Sequence, residues 1–417
     1  MNATYFSYLI LTLLGITSLW KIYLEVNNVD SAIKGTGQNQ SKEQLKALDY
    51  TKSKANFSIF RILYATVLLT ILCFLPILAI SYQQHVDFWG TSSLSLAFYL
   101  YAITLAWSVL FLPFELYNTF VLEERFGFNR SSLGLFFVDK IKEILLGLVF
   151  FLPLLSALFY LEKIFPKTWW IIAACNFVGF QLLLQIIYPR LILPIFFKLS
   201  PLPDEGLKKE LFSLAKKADF PAKDILVIDG SRRSRHSNAF FSGLGKSRMV
   251  VLFDTLIEQL NTDELKAVLA HEIGHYKKNH IFQMISLSIF QTFLATFLIS
   301  WLMNQPFFLN AFGFETSLLA PTIAIFFFFG SLFSYWVSPL KNILLRKYEF
   351  EADHFALDQM GNKSQLIEAL KKLHKENLSN MYPSKIYCIF YYSHPTLKER
   401  EQALEEKERA ILSLAKS

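Results

Sequence analysis

The segment FRILYATVLLTILCFLPILAIS, residues Phe60–Ser81, contains a single charged side chain, Arg61. About 20 consecutive apolar residues are enough for a helix to cross the hydrocarbon core of a bilayer. No water reaches the peptide groups there, so the backbone must satisfy its own hydrogen bonds as a helix. The segment therefore predicts a transmembrane helix, and similar segments recur along the chain.

Six further stretches share this length and composition. The seven predicted spans are Phe6–Leu24, Phe60–Ser81, Leu94–Thr119, Ile144–Phe165, Trp169–Leu193, Ile281–Met303 and Ser317–Pro339. The chain of 417 residues is 53% hydrophobic and 18% charged, with a mean hydropathy of +0.34, whereas ordinary soluble domains carry roughly 25% charged residues. We therefore predict a mainly α-helical, multi-pass integral membrane protein, with the lipid bilayer as a partner.

The loops between the spans differ in their basic residues. Lysine and arginine are frequent in the first and third loops, whereas residues 82–93 and 304–316 contain neither. Because basic loops stay in the cytoplasm, we expect the first, third and fifth loops and the C-terminus on that side and the N-terminus outside. The first apolar stretch lacks the basic start and cleavage site of a signal peptide, so we expect a retained span. The membrane would be a bacterial inner membrane or the endoplasmic reticulum.

The net charge of +7 agrees with this loop bias. The basic residues form no stripe interleaved with aromatic side chains, so no nucleic-acid partner is predicted. Cys73 and Cys175 fall within apolar spans and Cys388 stands alone, which indicates neither a disulfide framework nor a cysteine metal site. The pattern carries no prediction of oligomeric state.

Two polar segments separate the spans, and both fall on the predicted cytoplasmic side. Four regions follow: residues 1–195 with the first five spans, residues 196–280 as a soluble segment, residues 281–340 with the last two spans, and residues 341–417 as a C-terminal soluble segment. The first soluble segment contains a helix-like stretch, Gly206–Ala218. Asp224–Ile228 and Met249–Phe253 are rich in β-branched residues and predict a small β-sheet.

The sequence HEIGH at residues 271–275 contains candidate zinc-binding and catalytic residues. His271 and His275 are four residues apart on a predicted helix, so they lie one turn apart on one face and both reach one Zn²⁺. Glu272 lies beside the first histidine, as the general base does in the HExxH motif of zinc proteases. Gly274 costs about 1 kcal/mol in a helix relative to alanine, so we expect another element to approach it closely. The alternative is two helix histidines beside an exposed glutamate.

A catalytic zinc needs a third protein ligand and an open position. His280 would point away from the ligand face of a continued helix, so we expect it at the membrane boundary instead. Glu349 and Asp353 lie four residues apart on one helix face, with Glu351 turned about 200° from Glu349. One of the two carboxylates would ligate zinc while the other orients a ligand histidine. The alternative is a solvated acidic turn.

Seven segments occur in an order that is typical of one protein family. They are EERFGFNR (Glu123–Arg130), YPRLILPIFFKLSPLP (Tyr188–Pro203), SRHSNAFFSG (Ser234–Gly243), VVLFDTL (Val250–Leu256), LAHEIGH (Leu269–His275), RKYEFEADHFA (Arg346–Ala356) and YYSHPTLKER (Tyr391–Arg400). On these segments the chain resembles the type I CAAX prenyl proteases, which are multi-span integral-membrane zinc endopeptidases. The resemblance covers most of the chain.

This resemblance implies a role for each site residue. The ligands of one Zn²⁺ per chain would be His271, His275 and Glu349, with Glu272 as general base and acid. Asp353 would orient a ligand histidine, His394 and Arg400 would lie near the scissile carbonyl, and Asn238 and Ala239 would hold the substrate backbone on an edge strand. The fold implied is a seven-span helical barrel around a water-filled chamber, with a cytoplasmic zinc-protease domain formed by the two soluble segments.

The function implied is hydrolysis of a peptide bond near the C-terminus of a prenylated CAAX-type substrate. A close variant would cleave other membrane-associated or misfolded peptides. A transporter or channel with an incidental zinc site is a different hypothesis, and it would require charged residues near the middle of the membrane. Glu115 and Arg190 are the candidates for such charges, but both lie near span ends. A catalytically inactive binding chamber is a third hypothesis, and the presence of every chemical residue argues against it.

Overall fold

The computed structural model describes residues 2–37, 41–242, 249–315 and 317–414. The described helices are α1 (Ala3–Thr36), α2 (Lys42–Phe74), α3 (Ile77–Trp89), α4 (Ser93–Tyr117), α5 (Glu124–Phe126), α6 (Leu133–Ile164), α7 (Trp169–Ile187), α8 (Leu193–Phe196), α9 (Glu205–Lys217), α10 (Asp254–Gln259), α11 (Thr262–Lys277), α12 (His280–Met303), α13 (Pro306–Asn310), α14 (Leu319–Met360), α15 (Ser364–Glu376), α16 (Lys385–Tyr391) and α17 (Leu397–Leu414). The described strands are β1 (Leu199–Pro201), β2 (Asp224–Ile228), β3 (Ala239–Ser242) and β4 (Met249–Phe253). Short π-helical turns at Asn118–Glu123 and Tyr188–Ile192 follow α4 and α7.

The predicted number of membrane spans is confirmed. Within the described residues, seven helical segments are long and apolar enough to cross a membrane: Ala3–Thr36, Lys42–Phe74, Ser93–Phe126, Leu133–Ile164, Trp169–Phe196, His280–Met303 and Leu319–Met360. Large apolar side chains stand exposed on them, including Phe60 (64%), Phe74 (67%) and Val109 (65%). Extended apolar surface of this kind is typical of membrane contact.

The predicted span Phe60–Ser81 is wrong at its C-terminal end, because a break divides it. Helix α2 ends at Phe74, and α3 begins at Ile77. Pro76 has no backbone N–H and sterically disfavours helical geometry in the residue before it. Leu75 accordingly has extended geometry, with φ −104° and ψ 139°. Helix α2 compensates by beginning at Lys42, well before the predicted start of the span.

The soluble part is built around a small mixed sheet with strand order β1-β2-β4-β3. The predicted helix and both predicted strands are present as α9, β2 and β4. The two central strands run parallel, and β1 and β3 flank them in antiparallel orientation. The strand order places β3 at an edge of the sheet. Buried residues of β2, β4, α9, α11 and α15 form one hydrophobic core, separate from the core between the membrane helices.

Helix α14 connects the two cores. It is 42 residues long, hence about 63 Å, and it contributes Phe328 and Phe329 to the membrane core and Ala356 and Leu357 to the soluble core. The predicted boundary between residues 340 and 341 falls inside this continuous helix. The helix passes from the membrane core to the soluble core without a break in the chain. The division into four regions stays a prediction.

Candidate metal centre and active site

The two histidines of the HEIGH sequence lie on α11 and face Glu349 on α14. Among the described residues, His271, His275 and Glu349 form a group whose potential ligand atoms all lie within 4.8 Å of one another. The Nε2 atoms of the two histidines are 3.3 Å apart. Each lies close to a different oxygen of Glu349, with His271 Nε2 3.4 Å from Oε2 and His275 Nε2 3.3 Å from Oε1. Three donors of the types that zinc prefers therefore converge on one point.

The charges around this point also suit a divalent cation. Glu349 and Asp353 are buried, at 6% and 0% exposure, and Glu272 is half-buried. Arg400, also buried, is the cation of this group. With all three carboxylates ionised and the histidines neutral, as metal ligation requires, Glu272, Glu349, Asp353 and Arg400 sum to a charge of −2, which is costly in a buried setting unless a cation balances it. In the described part of the chain, Glu349 Oε2 is buried without a hydrogen-bond partner. The residues present therefore fit a bound divalent metal.

The close approach predicted at Gly274 is confirmed. A Cβ added to Gly274 would lie 2.8 Å from the Cα of Ala352 and 3.0 Å from its carbonyl oxygen. Real Cβ atoms essentially never come that close to backbone, so only glycine allows this contact between α11 and α14. The contact brings the histidine helix against the helix that carries Glu349.

Asp353 holds His271 in place. Its Oδ1 lies 2.8 Å from His271 Nδ1, which donates the hydrogen bond and leaves Nε2 free to face Glu349. Arg400 donates to both oxygens of Asp353, with Nε 2.7 Å from Oδ2. Burial acts to lower the pKa of His271, but the carboxylates of Asp353 and Glu349 outweigh it and raise that pKa to about 9. Arg400 thus contacts the carboxylate behind the ligand, and its predicted place near a scissile carbonyl stays a prediction.

Glu272 and His394 complete the predicted constellation. Glu272 follows the candidate ligand His271 on α11, and burial raises the pKa of Glu272, although the two nearby histidines oppose the shift. His394 comes from the loop before α17, and its Nε2 lies 3.4 Å from Glu349 Oε1. The His394 side chain is 65% exposed, and it lines a cavity of about 260 Å³. The carboxyl group of Glu272, with its raised pKa, and the accessible imidazole of His394 thus lie beside the candidate metal centre.

A chain of cavities leads from His394 into the membrane bundle. The cavity at His394 shares Ser379, Asn380 and Tyr392 with a cavity of about 720 Å³. That cavity in turn shares Ser58, Arg61, Phe111 and Glu115 with another of about 680 Å³ between the spans. Neighbouring cavities between the membrane helices thus extend to the loop that carries His394, beside the candidate metal centre.

Asn238 and Ala239 lie at the start of the edge strand β3. The carbonyl oxygen of Asn238 accepts from Phe253 N at 3.1 Å, and Phe240 lies opposite Val251 on β4. Because alternate residues of an antiparallel strand point to opposite sides, the N–H of Ala239 faces the open edge. There it donates to the side chain of its own neighbour, Asn238 Oδ1, at 2.9 Å.

His280 begins the candidate span His280–Met303, in agreement with its predicted place at the membrane boundary, but the prediction that it points away from the ligand histidines is wrong. His280 is 2% exposed, and its Nδ1 lies 3.0 Å from Nδ1 of His275. The prediction assumed a helix that continues past His275, whereas Asn279 adopts a left-handed conformation with φ 60° and redirects the chain. Asparagine favours that conformation more than most residues, so Asn279 was the available signal.

Known proteins share both halves of this architecture. Residues 201–408 match the model of Peptidase family M48, and residues 21–198 match a model described as CAAX prenyl protease N-terminal, five membrane helices. CAAX prenyl protease 1 of Saccharomyces cerevisiae is 38% identical over 395 residues, covering 86% of this chain and 85% of the yeast protein. The CAAX prenyl protease 1 homolog of Homo sapiens is 37% identical over 350 residues, covering 75% of this chain and 73% of the human protein.

The similarity extends to three dimensions. The crystal structure of S. mikatae Ste24p matches with a TM-score of 0.85 at 32% identity, covering 95% of this chain and 98% of that one. Fold and site together define an integral-membrane metalloprotease. The chain belongs to the CAAX prenyl protease 1 family within peptidase family M48. Membership implies a metal cofactor, and it replaces the hypothesis of a transporter or channel.

Proposed function

We propose that this protein is a zinc endopeptidase that cleaves near the C-terminus of prenylated CAAX-type substrates. One Zn²⁺ per chain would be held by His271, His275 and Glu349, and the site would face the cytoplasm. The observation that carries the proposal is the convergence of these three side chains beside Glu272, next to cavities that extend between the spans. A peptide tail anchored in the membrane by a lipid would reach a site in that place.

The chain's own residues would divide the work of hydrolysis. A divalent metal bound at the centre supplies Lewis acidity, which polarises a peptide carbonyl and acidifies water. Glu272 takes the proton of the attacking water and passes it to the leaving amine, a role that suits a carboxyl group with a raised pKa. The accessible imidazole of His394 donates to the developing oxyanion, and one such donor stabilises a transition state by about 2.7–4 kcal/mol.

Asp353 would act on the ligand geometry, with Arg400 as its support. Asp353 would fix the orientation of His271, and Arg400 would hold Asp353 in place. The substrate backbone would be added as a strand beside β3, where Ala239 offers its N–H and Asn238 its amide. Because such pairing uses main-chain groups, selectivity has to come from elsewhere, and a prenyl group in the bundle would provide it.

The test is cleavage by the purified full-length protein of a farnesylated CAAX peptide and of the same peptide without the farnesyl group. We expect kcat/KM to be much higher for the farnesylated peptide, with release of the last three residues. Equal cleavage of both peptides would favour the alternative of a protease for other membrane-associated peptides.

The cytoplasmic orientation is tested separately, by labelling a cysteine engineered into α17 with the protein in right-side-out vesicles. We expect this cysteine to be protected from a membrane-impermeant reagent.

A further inference from the structure

The second ring nitrogen of His275 is bound by a chain of two side chains that ends on α14. His275 Nδ1 lies 3.0 Å from His280 Nδ1, and His280 Nε2 lies 2.9 Å from Glu351 Oε2. The ring of His280 is buried and stacks on Tyr348, with centroids 4.1 Å apart and planes at 15°. Tyr348 is fixed in turn by its hydroxyl, which donates to Gln283 Oε1 at 2.6 Å.

Hydrogen-bond accounting sets the direction of this chain. An ionised carboxylate only accepts, so His280 Nε2 carries a hydrogen and donates to Glu351. In a neutral imidazole the other nitrogen is then an acceptor, so His280 Nδ1 accepts from His275 Nδ1–H. His275 is thereby held in the tautomer whose Nε2 lone pair faces Glu349 and His271. A metal ligand needs that lone pair in that direction.

The fold explains why a residue outside the HEIGH sequence reaches this position. Helix α12 begins at His280 and packs against α14. Glu351 points to a different face of α14 from Glu349, because two residues correspond to about 200° of helix rotation. The left-handed Asn279 turns the chain so that His280 enters the space between His275 and Glu351.

We infer that His280 and Glu351 are positioning residues for the metal ligand His275. The inference rests on the proposed role of His275 as a ligand. The two ligand histidines would then be oriented by two different carboxylates of α14, His271 directly by Asp353 and His275 by Glu351 through His280. Partners of this kind change metal affinity by 10–100-fold when they are removed.

Two substitutions at residue 280 separate hydrogen bonding from packing. His280→Phe keeps an aromatic ring on Tyr348 but removes both nitrogens. His280→Gln loses the ring but keeps one acceptor for His275 and one donor for Glu351. Glu351→Gln removes the charge at nearly constant volume and replaces one acceptor oxygen by an amide donor, so residue 351 no longer forces the hydrogen onto His280 Nε2. Asp358→Asn is the matched control, since Asp358 also lies on α14 but pairs with Lys407 at 2.6 Å.

The measurement is the zinc dissociation constant of each full-length variant in detergent, from competition with a chromophoric chelator. We expect His280→Phe and Glu351→Gln to weaken zinc binding by roughly 10–100-fold, and His280→Gln and Asp358→Asn to bind within about threefold of wild type. Wild-type affinity in His280→Phe, or equal losses in the Phe and Gln variants, would overturn the inference. If His280→Phe does not fold, the near-isosteric Glu351→Gln decides the question on the same scale.

A further variant separates this inference from the proposed metal site itself. Glu349→Ala removes a proposed ligand, so it should lose zinc far more severely than Glu351→Gln. If Glu349→Ala binds zinc like wild type, the ligand set is wrong and the proposed function fails with it. If Glu349→Ala loses zinc while His280→Phe and Glu351→Gln do not, the site stands and only the positioning role is refuted.

Discussion

Gly274 and Ala352 are in backbone contact, and this contact fixes the distance between the two helices that carry the proposed metal ligands. A Cβ on residue 274 would stand 2.8 Å from the Cα of Ala352. His271 and His275 lie on the same helix as Gly274, while Glu349 lies one turn before Ala352. Any separation of α11 from α14 therefore separates the two halves of the centre.

Gly274→Ala should weaken both folding and zinc binding. The helix propensity of alanine favours the variant by about 1 kcal/mol, but overpacking against backbone typically costs about 1–3 kcal/mol. We expect a lower thermal unfolding temperature and a higher zinc dissociation constant. Gly179→Ala is the matched control, because a Cβ at that helical glycine meets nothing within 4 Å. Equal behaviour of the two variants would show that the contact does not set the helix spacing.

Glu272→Gln should separate chemistry from metal binding. The side chain is outside the group of converging ligand atoms, so the variant should keep zinc at the wild-type ratio. Loss of a general base typically lowers the rate by about 10²–10⁴-fold, and we expect kcat on a cleavable CAAX peptide to fall within that range. The readouts are metal content and initial rates. A variant that retains zinc and cleaves at the wild-type rate would exclude Glu272 as the base.

The membrane part of the fold follows largely from composition, because a bilayer core admits only long apolar helices. All seven spans were predictable for this reason, and the error lay at Pro76, where the apolar run continues but the helix does not. Apolar composition reports where lipid is tolerated, whereas backbone chemistry reports where the helix ends. Pro76 disfavours helical geometry at Leu75, so the sequence itself contains the signal for this break.

The site was predictable only as far as helix geometry reaches. Spacing placed His271 and His275 on one face, and it left Glu349 and Asp353 as alternatives for the third ligand. Choosing between those two carboxylates requires knowing how α14 is rotated against α11, which depends on tertiary packing. His280 was missed for a related reason, since a single left-handed residue, Asn279, changed the direction of everything after it.

His236 should make the stability of the protein depend on pH. Its Nδ1 lies 2.7 Å from Asn377 Oδ1 and its Nε2 3.4 Å from Glu123 Oε2, and the ring stacks on Phe128. The hydrogen bond to Glu123 raises the pKa of His236 above its usual 6.5, against the effect of burial and of the nearby charge of Lys54. A raised folded-state pKa means that this contribution is fully present below about pH 6.5 and is lost as the pH rises through the folded-state pKa.

The measurement for His236 is the thermal unfolding temperature of wild type and of His236→Gln between pH 5.5 and pH 9. We expect wild type to exceed the variant most at the acidic end, with the difference shrinking as the pH rises. Glu123→Gln removes the partner that raises the pKa, so in that background the effect of His236→Gln should be nearly independent of pH. A difference that grows with pH would contradict the assigned direction of the shift.

Ala239→Pro should weaken substrate binding without disturbing the sheet. The N–H of Ala239 faces the open edge of β3 and bonds only locally, to Asn238 Oδ1 at 2.9 Å, among the described residues. Proline is tolerated at such an outward-facing edge position, but it removes one donor from the proposed substrate strand. One lost hydrogen bond is worth about 0.5–1.5 kcal/mol, hence a rise in KM of roughly 2- to 12-fold with kcat and zinc content little changed.

Phe240→Pro is the contrasting control. Residue 240 pairs inward with Val251, so proline at this position removes a hydrogen bond of the sheet and should lower the unfolding temperature. If Ala239→Pro leaves KM unchanged while Phe240→Pro destabilises the protein, the substrate does not pair with this edge.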